Sequence, residues 1–242
     1  TITWGTPVTF SGRTTEGAWA GNVATLGFAM SYDVNAQKVL ICWGEGVEYV
    51  SGGKGASKVG TVSGTGATGT ISFGSEEEWE DDKPPAHRTF AEHIVYDSNA
   101  QKHVLIWVKT GTGAVASVGT ITGTSVSWGT PVLVMNTFKY PGIAFDSTTN
   151  QIVIACDKGT GNYGVICRVG TITGTSITFG TETTGAEQSS GQQLGDSDYG
   201  ALTYDANAQK MIYVYSAYWE PGAGVARLAI CQSSSGCSLS TA

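Results

Sequence analysis

One string recurs along this sequence, and only short paired strands make use of it. Residues 170–180 read Gly-Thr-Ile-Thr-Gly-Thr-Ser-Ile-Thr-Phe-Gly, and residues 119–129 are nearly identical. Residues 60–74 carry the same string with an insertion, residues 232–240 are a decayed copy around Gly236, and residues 1–5 are the second half of a further copy. β-Branched and aromatic residues on both sides of a Gly-Thr pair signal two strands joined by a tight turn.

A second block alternates with the first. It reads Tyr32-Asp33-Val34-Asn35-Ala36-Gln37-Lys38, returns at 96–102 and 204–210 with the same Tyr-Asp-x-Asn-Ala-Gln-Lys pattern, and appears as Phe145-Asp146-Ser147-Thr148-Thr149-Asn150-Gln151 in the third position. Asp and Asn bond nearby backbone N–H groups and tolerate turn geometry, so each block predicts a hairpin turn. The two blocks define four repeats, at approximately 11–74, 75–132, 133–180 and 181–242, and this period suits propeller blades.

Each repeat yields four expected strands: a small-residue strand (27–32, 91–96, 142–145, 200–204), an apolar one (39–43, 103–107, 152–156, 211–215), a third leading into the glycine turn and a fourth leaving it. Small residues suit the innermost strand, where neighbouring sheets crowd together. The expected fold is therefore all-β: a four-bladed β-propeller forming a single domain over 1–242, with four antiparallel strands per blade. The N-terminal strand over 1–10 completes the last blade, whose own fourth strand is poor, and so removes an open sheet edge. A solenoid or a row of separate hairpins is the competing arrangement.

Composition agrees. Gly supplies 34 of 242 residues, only 14% of residues are charged, and the 40% hydrophobic content is enough for a core. The formal charge of −7 is dominated by Glu76 to Asp82, whose six acids leave the remainder close to neutral. Phosphate binding needs a basic stripe, so nucleic acid is not an expected partner. No run of about 18 apolar residues is present, so no membrane insertion is expected. The chain starts without Met or a signal-peptide pattern, which fits a fragment or a processed chain.

Trp4, Phe73, Trp128 and Phe179 share one repeat position, and Trp43, Trp107, Cys156 and Tyr215 share another, which reads as core rather than ligand platform. The repeated Asp33, Asp97, Asp146 and Asp205 are structural on the same logic. Both repeated turns fall at one end of each sheet, which leaves the variable connections at the other. That end holds the candidate ligand-binding residues Trp19, Tyr49, Trp79, His87, Tyr163, Tyr199 and Trp219, suited to stacking on sugar rings or anchoring a protein. Calcium is the one candidate ion, on Glu76, Glu78 and Asp81 of the acidic run or on Asp196 and Asp198, although neither set has a known loop spacing. No other cofactor is expected. Cys156 with Cys167, and Cys231 with Cys237, are candidate hairpin disulfides that lean towards an oxidising setting, while Cys42 reads as a buried thiol.

No catalytic residue is assigned. Among the histidines, His93 and His103 fall on strands of one hairpin, where structural roles are expected, and no Ser-His-Asp elbow, phosphate loop or zinc spacing is present. The pattern Val-Gly-Thr-Ile-Thr-Gly-Thr-Ser-Val-Ser-Trp-Gly-Thr-Pro-Val at 118–132, with the Tyr-Asp-x-Asn-Ala-Gln-Lys turns, resembles Gly/Thr-rich repeats of structural and tail-associated proteins of marine and other aquatic bacteriophages. The resemblance implies a scaffold and a virion setting but transfers no site residue. The expected function is a non-enzymatic binding module, extracellular or displayed on a virion surface, that recognises a cell-surface glycan or protein through the variable loops. The alternatives are a structural subunit that assembles with copies of itself or other virion proteins in a fibre or shell, and a carbohydrate-active enzyme, a glycosidase or lyase, on the same scaffold.

Overall fold

The computed structural model describes residues 5–10, 24–47, 50–65, 68–80, 91–109, 112–136, 139–157, 165–184, 200–217, 225–232 and 236–239. Among these residues there is no α-helix, and the strands form four sheets in chain order. The first runs β1 (Ala24–Asp33), β2 (Lys38–Val47), β3 (Val50–Ser63), β4 (Thr70–Phe73), with β5 (Glu77–Glu80) also on β3. The second comprises β6 (Ala91–Asp97), β7 (Lys102–Lys109) and β8 (Gly113–Thr122), with β9 (Ser125–Trp128) and β10 (Val132–Met135) both on β8. The third repeats the plan with β11 (Lys139–Asp146), β12 (Gln151–Asp157), β13 (Val165–Thr173), β14 (Ser176–Phe179) and β15 (Thr183–Thr184). The fourth has β16 (Gly200–Asp205), β17 (Lys210–Ala217), β18 (Val225–Gln232) and β19 (Gly236–Leu239). The chain divides into two compact units, residues 1–110 with 119–129, and residues 111–118 with 130–242.

The Tyr-Asp block makes the same turn four times. Asp33 Oδ1 accepts from the N–H of Asn35 and Ala36, and Asp97, Asp146 and Asp205 do the same two and three residues on. The residue closing each turn is left-handed: Gln37, Gln101, Asn150 and Gln209 have φ between 53° and 56°. The glycine turn is tighter. Thr122 pairs with Ser125 and Thr173 with Ser176, which leaves Gly-Thr as a two-residue loop whose glycine has φ of 64° (Gly123) or 63° (Gly174). A glycine in the first central position suits the type II′ turn that matches strand twist. Gly236, in contrast, sits in β19 opposite Gln232 and not in a turn.

Two expectations change. The fourth strand breaks after its glycine, since Gly74 and Gly180 bond back to Val59 and Val169, and a short fifth strand then resumes on the same neighbour. The N-terminal strand expected over 1–10 is not a strand over its described part, 5–10. Phe10 instead packs edge-on against Phe28, Trp43 and Phe73 of the first sheet, and its carbonyl accepts from Lys58 Nζ at 2.7 Å. Burying a ring outweighs extending a ladder through Pro7, which has no N–H to give.

The turns give a stability test. Non-glycine residues at positive φ cost roughly 1 kcal/mol, so Gln101→Gly is expected to raise stability by up to about 1 kcal/mol, and Asp97→Ala to lower it by about 1–2 kcal/mol through two lost bonds. Urea midpoints at unchanged slope read both.

Candidate functional site

Strand alternation gives each sheet two unlike faces. On the first strand of each sheet one face carries the large residues before the turn Asp, namely Phe28, Met30 and Tyr32 on β1, Ile94 and Tyr96 on β6, Ile143 and Phe145 on β11, and Leu202 and Tyr204 on β16. On β1, β11 and β16 the other carries smaller ones with the Asp itself, Ala29, Ser31 and Asp33, or Gly142, Ala144 and Asp146, or Ala201, Thr203 and Asp205, while on β6 it carries His93 and Val95 with Asp97. The first face is a ridge and the second a socket.

In the first unit the β6 ridge lies on the β1 socket. Tyr96 Oη donates to Asn35 Oδ1 at 2.7 Å, and burial, helped by Asp33, pushes the Tyr96 phenol well above its usual range. His103, beside Tyr96 on β7, is fully buried, with Nδ1 2.7 Å from Ser31 Oγ and Nε2 3.7 Å from Asp33 Oδ2. Burial pushes its imidazole down to about 4 against the opposing pull of Asp33. Ser31, His103 and Asp33 are the residue types of a hydrolase triad, yet Asp33 Oδ1 is committed to its turn and the serine is at the packed contact between β1 and β7. Their joint role is to tie the sheets together.

In the second unit the β16 ridge lies on the β11 socket in the same way. Tyr204 Oη and Thr148 Oγ1 are 2.5 Å apart, at the repeat positions of Tyr96 and Asn35. Ala144, Val153, Ala155, Val165, Cys167, Met211 and Tyr213 form the core beneath, and a methyl on Gly142 would sit 2.6 Å from Leu202 Cβ.

Two faces stand apart. Of the four ridges, that of β1 is the most exposed: Phe28, Met30 and Tyr32 are exposed by 58%, 66% and 53%, with Phe10 against one edge of Phe28, whereas Ile143 is buried and Ile94, Leu202, Tyr96, Phe145 and Tyr204 are half-buried. Val62 on β3 extends this exposed apolar surface. Of the sockets, that of β16 is uncovered: Ala201 and Thr203 are exposed and Asp205 is half-buried, whereas Asp33, Asp97 and Asp146 are buried. Sequence reasoning missed both faces because equivalent positions look alike in every repeat.

Trp79 is corrected from a ligand platform to a core residue. It is 5% exposed on β5, donates Nε1–H to the Ala56 carbonyl at 2.8 Å, and stacks edge-on against Trp107 at 4.9 Å. Gly55 makes the room, since a Cβ there would lie 2.2 Å from the ring. The acidic run forms a strand over Glu77–Glu80. Lys54 Nζ holds Glu76 at 2.9 Å and Glu78 at 2.8 Å, and buried Glu80 takes Lys109 at 3.2 Å and the Trp107 Nε1–H at 3.2 Å. Among the described residues no group of three His, Cys, Asp or Glu is placed for a metal ion. Trp19, Tyr49, His87, Tyr163, Tyr199, Trp219, Asp81, Asp196 and Asp198 lie outside the described residues.

The Cys156–Cys167 disulfide is also corrected. Cys167 is opposite Ala155, and Cys156 is opposite Ile166, so the one-residue offset turns the two sulfurs to opposite faces of the sheet. Cys156 is a buried thiol against Met135 Sδ, Cys42 is a second buried thiol with its ionisation pushed well up by burial, and Cys167 is disulfide-bonded. Cys231 and Cys237 are directly opposite on β18 and β19.

A buried neutral His103 predicts acid sensitivity. Its folded value near 4 lies below the unfolded 6.5, so its stability contribution is complete above pH 6.5 and is lost as pH falls towards 4, by as much as about 3 kcal/mol. His93, lowered by burial, adds to the same window. In His103→Gln most of that slope should vanish in urea titrations across the window, whatever the variant's baseline stability; an unchanged slope would show that His103 is not its source.

No protein-family model matches the chain, and a search of curated proteins finds no match.

Proposed function

We propose that this chain is a non-enzymatic binding module that works by docking a macromolecular surface, displayed outside the cell or on a virion. The uncovered apolar ridge of β1 carries the reading: large apolar side chains exposed by more than half, on a sheet face that is covered at its repeat equivalents, mark an interaction surface. The disulfide at Cys167 supports an oxidising compartment.

A second reading has its own observation. The exposed β1 ridge and the exposed β16 socket are complementary, which favours the four-bladed propeller proper, with the four sheets as blades and the ring closed within one chain. In either case the repeated turns occupy one end of each sheet, and a glycan would be met at the other, through Trp19, Tyr49, His87, Tyr163, Tyr199 and Trp219.

Stability separates the readings. Ile94→Glu puts a charge on a covered ridge and should cost about 2 kcal/mol or more, whereas Met30→Glu on a docking ridge should change stability by less than about 0.5 kcal/mol. Equal costs would make the β1 ridge part of a closed core and remove the docking reading. On a glycan array, binding lost in Trp19→Ala or Trp219→Ala but kept in Met30→Glu would assign glycan recognition to the loops. Release of reducing ends from a polysaccharide, abolished by one carboxylate substitution, would overturn the non-enzymatic assignment.

A further inference from the structure

We infer that the partner of the β1 ridge is a second copy of this chain, whose β16 socket receives it, so that copies join head to tail. The inference rests on the docking reading above. Its warrant is that the chain makes this contact twice within itself. The β6 ridge enters the β1 socket and the β16 ridge enters the β11 socket, each closed by a tyrosine hydroxyl on the second residue after the partner's turn Asp, Tyr96 on Asn35 and Tyr204 on Thr148. Of the ridges and sockets outside these two contacts, the β1 ridge and the β16 socket are the exposed ones. Tyr32 and Asn207 occupy the corresponding positions, and both are exposed.

The fit is chemical as well as positional. Ala201 and Thr203 are small, as are Ala29 and Ser31 on the β1 strand that β6 packs against. The Asp205 carboxylate bonds its own turn through the Asn207 N–H, which leaves the Asn207 amide oxygen as the natural acceptor for the Tyr32 hydroxyl. A foreign protein or a glycan would have to imitate a surface that every copy already carries. Because ridge and socket are different surfaces, the contact is heterologous, and it propagates into a filament or closes into a ring of several copies.

End-blocked variants test this on the full chain. Met30→Glu removes the ridge and Thr203→Arg the socket, both at exposed positions, so both chains should fold. By light scattering the wild type should grow in mass with concentration. Each variant alone should associate at least about 30-fold more weakly, and an equimolar mixture should form a 1:1 dimer and nothing larger, since one good ridge and one good socket remain. A wild type that stays monomeric at all concentrations, or a mixture that does not pair, would overturn the inference. In Tyr32→Cys/Asn207→Cys, mild oxidation should give a ladder of linked chains on non-reducing gels. A bridge within single chains would overturn it in favour of the closed ring. Copy docking alone has failed if a monomeric wild type accompanies a neutral Met30→Glu; the docking reading falls with it if Met30→Glu is as costly as Ile94→Glu.

Discussion

Gly142 has no side chain, and Leu202 of the next sheet occupies the space one would have taken. That absence is the constraint on which the stacking depends. A sheet with apolar residues on both faces has to bury both, and large side chains on the facing strands of two neighbouring sheets would hold the backbones too far apart to interdigitate at core density. Alternation solves this with one register: the large residues Ile94, Tyr96, Leu202 and Tyr204 on one face of their strands, and Gly, Ala, Ser and Asp on the face that receives them. Among the described residues the large face of β1 and the small face of β16 are the exposed ones.

The turn aspartates hold that register in place. Each carboxylate accepts from two backbone N–H groups of its own turn, and so fixes where the strand ends and which residues follow it onto each face. The left-handed residue that ends each turn is the conformational cost of reversing the chain in four residues while keeping the aspartate in reach. His103 shows what such burial demands: with Asp33 committed to its turn, the imidazole is kept neutral and tied to Ser31.

Most of the fold was legible because repeats report their own boundaries. The hairpins at Asp33, Asp97, Asp146 and Asp205, the glycine turns at Gly123 and Gly174, and the burial of Trp43 and Trp107 all follow from periodicity and turn chemistry. Trp79 was not legible. It stands among acids, which reads as a solvated loop until Lys54 and Lys109 are seen to neutralise that run and Gly55 to accommodate the ring. The cysteines failed for a related reason: nearness in sequence placed Cys156 and Cys167 on adjacent strands, but a one-residue difference in register decides which face a sulfur reaches.

The sequence by itself determined that the chain is all-β, that it is built from four related sheets, and where each hairpin turns, because strand alternation and turn conformation are properties of a few neighbouring residues. Only the tertiary structure decided which of the equivalent faces are covered. Tyr32 and Tyr96 stand in the same local sequence, and so do Thr203 and Ala144, and nothing within a repeat distinguishes a face that meets a neighbour from one that does not. Exposure depends on the arrangement of whole sheets, and for that reason the candidate docking surface lies at positions the repeat pattern treats as ordinary core.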